Sequence, residues 1–233
     1  MAANRKLLTA AVACAAVFVG ITGCSSEEKD PFDGMSADKI AKKASDASKG
    51  AGSFRVTGEG KQGGKAVNVD FSVGKSGDCT GKIGGGADGT AELLVSGDTQ
   101  YMKGDEAFWK KAMGGSGKAA ALKGKWVKSP NSKKEGVCDP DSMFQSKELK
   151  KLEREKDSEV DGKKAAVLTK KESGKKTTFY VAAEGKPYFL KVVTSGSEDP
   201  GTMNFSDYGK SVTVKAPAPA PGDVMDMQEL MKS

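Results

Sequence analysis

The clearest pattern in this 233-residue chain is an alternation of apolar and polar residues with a period of two. Phe54 and Val56 alternate with polar side chains, and the same pattern continues over residues 67–73. Because successive side chains of a strand point to opposite faces of a sheet, the pattern predicts half-buried strands. The glycine-rich residues 58–64 suit a hairpin loop between them. The spacing predicts about ten strands in an antiparallel arrangement. The further strands are expected at residues 79–83, 90–95, 100–103, 158–160, 165–169, 177–182, 188–194, 203–205 and 212–214.

A helical period interrupts the strand pattern in two places. Ser36 is a typical N-cap residue, and Gly50 and Gly52 end the first helical pattern. The apolar positions between them recur at helical spacing and are Ala37, Ile40, Ala41, Ala44 and Ala47. This stripe of small side chains predicts a helix that lies close against a sheet. Shorter helices are predicted at residues 105–113, 119–122 and 141–152, which gives a helical insert at about 105–152 between two runs of strands.

The N-terminus has the layout of an export signal. Arg5 and Lys6 precede an apolar run at residues 7–21, which is shorter than the roughly 20 apolar residues of a membrane span. Residues 21–24 (ITGC) resemble the lipobox of bacterial lipoproteins. The resemblance implies a signal peptide at 1–23, a lipidated Cys24, a flexible tether at 24–35 and anchoring on the outer face of the cell membrane. The alternatives are an uncleaved anchor and an ordinary signal peptide with an incidental cysteine.

Two cysteines remain in the expected mature chain, Cys79 and Cys138. Exported proteins meet oxidising conditions, so an even number of cysteines predicts a disulfide between them. Metal binding by two isolated cysteines is the weaker alternative, and no metal or cofactor is predicted.

Composition narrows the classes of function. The chain contains no histidine, which removes Ser-His-Asp and Cys-His nucleophile systems and histidine zinc sites. No other motif predicts catalytic residues, so the chain is not expected to be an enzyme. The formal charge is +6, but the lysines are spread over turns and form no single stripe, so a nucleic-acid partner is not expected.

The layout of these elements resembles the LppX/LprG-type actinobacterial lipoproteins, which are related in fold to the LolA/LolB lipoprotein carriers. The resemblance covers about residues 36–215 and includes the short sequence segments GKWVK, EGKPYFLK and NFSDYG. It implies a mainly β, α+β fold in which a strongly curved antiparallel sheet wraps around a few helices. It also implies a space between sheet and helices that holds acyl chains. Residues 216–233 are expected to form a proline-rich tail that ends in a short helix or stays mobile.

The apolar strand positions are the candidate lining of such a cavity, although the ordinary interpretation of this pattern, for most of these residues, is a packed core. The candidates on the early strands are Phe54, Val56, Val67, Val69, Phe71 and Val73. Those on the later strands are Phe179, Val181, Tyr188, Leu190 and Val192. Phe108, Trp109 and Trp126 are candidates for a rim over the cavity, for a sugar-stacking platform or for a satellite core. The function expected is binding or carrying a lipid or lipidated molecule. The alternative is a structural or interaction lipoprotein without a ligand.

Overall fold

The computed structural model describes residues 30–75, 77–115, 117–131, 138–145, 149–215 and 224–232. The strands in these ranges are β1 (Phe54–Gln62), β2 (Lys65–Val73), β3 (Cys79–Gly84), β4 (Thr90–Ser96), β5 (Thr99–Gly104), β6 (Trp126–Pro130), β7 (Glu153–Val160), β8 (Lys163–Glu172), β9 (Lys175–Ala182), β10 (Phe189–Ser195), β11 (Gly201–Ser206) and β12 (Val224–Asp226). The helices are α1 (Ala37–Gly50), α2 (Glu106–Ala112), α3 (Ala119–Leu122), α4 (Pro140–Met143) and α5 (Met227–Lys232), with a 3₁₀ helix at Gly86–Asp88.

All of these strands belong to one curved, unclosed sheet, in the order β12-β6-β5-β4-β3-β2-β1-β11-β10-β9-β8-β7. It consists of two antiparallel meanders, β1 to β6 and β7 to β11, which join where β1 pairs with β11. In this pairing Val56 lies opposite Phe205, and Gly58 lies opposite Met203. The short β12 adds to the edge strand β6 in the parallel direction. The predicted fold class, a mainly β fold with a curved antiparallel sheet around a few helices, is confirmed.

Helix α1 packs on the concave face of the sheet. Its N-cap Ser36 accepts a hydrogen bond from the Lys39 N–H at 3.4 Å. Ile40, Ala41 and Ala44 are all fully buried against the sheet, as the stripe of small side chains predicts. Small residues let the helix backbone approach the strands closely, so the space between them is filled. The main hydrophobic core lies here, between α1 and the inward side chains of the central strands.

The predicted helix over residues 141–152 is wrong. Helix α4 ends after one turn at Met143, and Lys151 has a left-handed backbone conformation with φ of 59°. The carboxylate of Asp38 accepts hydrogen bonds from the backbone N–H of Lys151 at 3.2 Å and of Leu152 at 2.8 Å. These contacts tie the backbone to the first turn of α1 and lead it directly into β7. Residues 146–148 lie outside the described ranges.

Further differences concern strands. The predicted hairpin loop over residues 58–64 is confined to residues 63–64, because β1 extends to Gln62 and β2 begins at Lys65. Residues 212–214 form no strand, although the sequence predicts one. Conversely, β12 is not predicted, because a three-residue strand carries too little periodic pattern to be recognised. It forms because β6 offers an edge, and α5 follows it as the predicted short terminal helix.

Cys79 and Cys138 form a disulfide, as predicted, with their Cα atoms 5.5 Å apart. Cys79 is fully buried on β3, so the bridge fixes the start of the α4 segment, residues 138–145, to the core. Among the described residues, no helix has the length and apolar character needed to span a bilayer. Cys24, the predicted signal peptide, residues 24–29 of the tether and residues 216–223 of the tail lie outside the described ranges.

Candidate ligand-binding groove

An open groove begins where the strands extend beyond α1. On β1 the inward residues change along the strand from Phe54 and Val56, which are buried, to Gly58 and Gly60. Glycine has no side chain, so this end of the concave face is left unfilled. The result is a cavity of about 350 Å³ whose apolar lining includes Val67, Val69, Val192 and Met203.

The two glycines also allow β1 and β11 to lie close together here. A Cβ on Gly58 would lie 3.1 Å from the Thr202 carbonyl oxygen of β11, and a Cβ on Gly60 would lie 2.8 Å from the carbonyl oxygen of Pro200, just before β11. Both contacts are tighter than ordinary van der Waals separations. A larger residue at either position would therefore displace the neighbouring strand β11 and would also fill the groove.

A second cavity of about 240 Å³ adjoins the first, because Val192 lines both. Its other apolar lining residues come from the α4 segment, from the stretch before β7 and from the later strands, and they are Met143, Phe144, Leu149, Phe179, Phe189 and Phe205.

Phe144 occupies the boundary between this cavity and the core. Its ring centre lies 5.1 Å from that of Phe54, 5.2 Å from that of Phe205 and 5.9 Å from that of Phe189. The hydroxyl of Ser45, which is buried on α1, donates a 2.6 Å hydrogen bond to the Phe144 carbonyl oxygen. Aromatic packing and this hydrogen bond therefore fix the end of the α4 segment beside the groove.

A third cavity of about 290 Å³ lies between the ends of β2 and β3 and helix α2, and it shares Val67 with the first. Its apolar lining comes from Ala66, Val67, Ile83, Phe108 and Ala112. We refer to the three adjoining cavities together as the concave groove. A groove of this lining offers a ligand mainly the burial of apolar surface.

Asp105 positions α2 over this third cavity. As the N-cap, its carboxylate accepts hydrogen bonds of 2.8 Å from the Phe108 N–H and of 2.8 Å from the Thr90 N–H. These hydrogen bonds lower the pKa of Asp105 below its ordinary value, and the bond from the Phe108 N–H has the largest effect. The charged cap therefore joins α2 to the start of β4.

No family model matches this chain, and no curated protein matches it. Solved structures do match. LprF from Mycobacterium bovis superposes with a TM-score of 0.55 at 16% sequence identity, over 78% of this chain and 97% of LprF. The lipoprotein LppX from Mycobacterium tuberculosis gives a TM-score of 0.51 at 15% identity, over 77% of this chain and 98% of LppX. The chain has the fold of LprF and LppX. The resemblance to the LppX/LprG-type lipoproteins is thereby confirmed for the fold.

Within this LppX-like fold, the candidate lining residues separate into two groups. Five of them line the concave groove, and they are Val67, Val69, Phe108, Phe179 and Val192. Another five lie in the packed core beneath or beside α1, and they are Phe54, Val56, Phe71, Val73 and Val181. Apart from Phe108, which lies on α2, both groups share one sheet face, so the period of two does not separate them.

Leu190 does not face the groove. The pairing of β10 with β9 shifts register between Phe189 and Lys191, which is a β-bulge. A bulge inserts one residue and reverses the faces that follow. Phe189 and Val192 therefore both point into the concave side, whereas Leu190 packs with Ala165 in a separate cluster. Tyr188 instead stacks on Tyr208, with ring centres 4.2 Å apart.

The two tryptophans also lie away from the concave groove. Trp109 is 1% exposed in a separate cluster with Leu122 and Val127, which is the satellite core among the alternatives. Trp126 is half-buried, and the Lys103 ammonium lies 5.8 Å from its ring centre. A sugar-stacking platform needs exposed ring faces, and the buried ring of Trp109 offers none.

Sequence reasoning missed several groove residues, namely Gly58, Gly60, Phe144, Phe189 and Met203. The replacement of apolar residues by glycine at inward positions of β1 is a signal that was available. It marks the point where a packed strand face becomes an open one. Among the described residues, no group of three or more potential metal ligands is present.

Proposed function

We propose that this protein is a membrane-anchored lipoprotein whose concave groove binds the acyl part of a lipid or of a lipidated molecule. The observation that carries the proposal is that three apolar cavities lie side by side on the concave face and share the lining residues Val192 and Val67. Met203, at 41% exposure, is an exposed large apolar residue within this groove. An acyl chain would cover it. The fold shared with LppX, a lipoprotein, supports the same function.

The mechanism is passive shelter of apolar surface from water. Each methylene buried contributes about 0.8 kcal/mol, so a chain of several methylenes offsets the entropy lost on association. The α4 segment is held beside the groove by the Cys79–Cys138 disulfide and by the Ser45 hydrogen bond. The lining needs no chemical step for this function.

The test fills the groove and compares the two faces of one strand. Val192→Trp places a large ring between two cavities, whereas the neighbouring Val193→Trp places the same ring on the opposite face of β10. Protein purified from membranes is examined by native mass spectrometry for bound lipid, and delipidated protein is titrated with cis-parinaric acid. Lipid and probe binding are expected to be lost in V192W and kept in V193W. Ligand-free wild-type protein, or equal binding by both variants, would contradict the proposal.

The anchor has its own test, because it depends on the lipobox and not on the groove. Cys24→Ala removes the thiol that would receive the lipid. We expect this variant to leave the membrane fraction and to lose incorporation of labelled palmitate, while the folded domain still binds the probe. Retention of the variant in membranes after a salt and carbonate wash would favour an uncleaved N-terminal anchor instead.

A further inference from the structure

The mouth of the third cavity carries a cluster of charges that hydrophobic burial does not require. Asp88, in the 3₁₀ helix, accepts a hydrogen bond of 2.8 Å from the Lys65 ammonium and another from the Lys111 ammonium. Lys111 and Asp88 themselves line the cavity. Lys65 lies at the start of β2, two residues from the lining residue Val67 and therefore on the same strand face.

The cluster has one positive charge in excess. Two ammonium groups face one carboxylate. The hydrogen bond from Lys111, and to a smaller extent that from Lys65, lowers the pKa of Asp88, so this carboxylate stays ionised at neutral pH. The carboxylate of Asp105 also keeps its charge, but it accepts its hydrogen bonds from the backbone N–H groups of Phe108 and Thr90 and lies outside this cluster of Asp88 and two lysines. Each ammonium carries three donors and spends one on Asp88, so donors remain for a second acceptor.

A role in stabilising helix α2 does not by itself explain why two lysines contact Asp88. The side chains of Lys65 and Lys111 are 59% and 58% exposed, and exposed ion pairs contribute little to folding stability. A single lysine would already neutralise Asp88. The second lysine leaves a net positive charge beside Val67, Ile83 and Phe108, at the point where an apolar cavity opens to water.

We infer that the concave groove selects amphiphiles with an anionic head group, a carboxylate or a phosphate, which Lys65 and Lys111 bind while the acyl chain enters the third cavity. This inference rests on the proposed function and adds the class of ligand. Asp88 holds the two ammonium groups together and competes with the incoming anion. Removal of its charge therefore strengthens anion binding, whereas removal of the lysines weakens it.

The experiment compares two probes with the same chain, cis-parinaric acid and its methyl ester, at pH 7.4 and low ionic strength. In the Lys65→Met/Lys111→Met variant, affinity for the acid is expected to fall about tenfold, as for the loss of a charge-assisted hydrogen bond, with little change for the ester. Asp88→Asn is expected to raise affinity for the acid severalfold. Lys82→Met/Lys110→Met is the control, because it removes the same charge from the opposite sheet face and from the outer side of α2.

The outcomes separate the two claims. The inference of an anionic ligand is supported if both probes bind, if the two variants change the affinity for the acid but not for the ester, and if the control changes neither affinity. If both probes bind and neither variant changes their affinities, the inference is overturned and the proposed function is left intact. An equal loss of acid affinity in the control also overturns it, because the effect would then be one of net charge. If neither probe binds wild-type protein, the proposed function fails and the inference fails with it.

Discussion

The two halves of the concave face are built on the same strands but differ in how they are filled. In the packed half, Phe54 and Val56 of β1 and Phe205 of β11 lie buried under α1. In the open half, the inward-facing positions of the same two strands are Gly58 and Gly60 on β1. They pair with Met203 and Gly201 on β11. A few changes of side-chain size along a continuous sheet therefore separate a core from a groove.

The comparison shows how one domain can be stable and still keep an apolar surface open. Phe54 contacts the rings of Phe144, Phe205 and Tyr208 within 6.3 Å between ring centres. These contacts bury the ring of Phe54 in the packed half. We expect the open half, where Met203 is exposed, to exchange apolar surface with a ligand without loss of this packing.

The largest expected effect comes from breaking the packed half. Phe54→Ala removes a ring that is 1% exposed and should lower the free energy of unfolding by about 3–5 kcal/mol. Met203→Ala, in the open half of the paired strand, should change it by less than about 0.5 kcal/mol. Urea denaturation followed by circular dichroism measures both values. Similar losses in the two variants would show that the open half is also part of the stabilising core.

A somewhat smaller effect is expected for the disulfide, which links the packed half to the α4 segment beside the groove. The bridge closes a sequence separation of 59 residues. Cys79→Ala/Cys138→Ala should lower the free energy of unfolding by about 2–4 kcal/mol. Reduction of the wild type with dithiothreitol should lower its melting temperature towards that of the variant, and the variant itself should not respond. A response of the variant to dithiothreitol would mean that the reductant acts elsewhere.

The packed half was largely accessible to sequence reasoning, because its patterns are local. The alternation that ends in the buried residues Phe71 and Val73 predicts β2, and the alanine stripe after Ser36 predicts α1 with its buried face. Both depend only on side chains a few residues apart. The disulfide followed from the expected compartment, since pairing was the default for the two remaining cysteines.

The groove was less accessible, because it depends on contacts between distant parts of the chain. Gly58 becomes a groove residue through its pairing with Met203, and Phe144 through rings contributed by β1, β10 and β11. Leu190 shows the same limit. Its spacing from Val192 predicts a shared face, but the bulge between Phe189 and Lys191 separates them. Neither register nor bulge is visible in the local alternation.

The smallest effect concerns a titratable group of the packed half. Tyr208 packs against Phe54, and its hydroxyl donates a 2.8 Å hydrogen bond to the Phe189 carbonyl oxygen. Burial raises the pKa of the Tyr208 phenol above its ordinary value, with a smaller opposing effect from Ser48. The neutral phenol is thus favoured in the folded state. Its contribution to stability is complete below the unfolded pKa of about 10 and declines as the pH rises above it.

Tyr208→Phe isolates this contribution, because phenylalanine keeps the ring and removes the titrating hydroxyl. At neutral pH the variant should lose about 1 kcal/mol, the value of one hydrogen bond. Above pH 10 the wild type should lose up to about 1.4 kcal/mol more than the variant per pH unit, so the two stabilities converge. Urea denaturation at pH 7 to 11 measures this difference. A constant difference across that range would mean that the phenol reaches solvent in the folded state, and that the packed half is open at Tyr208.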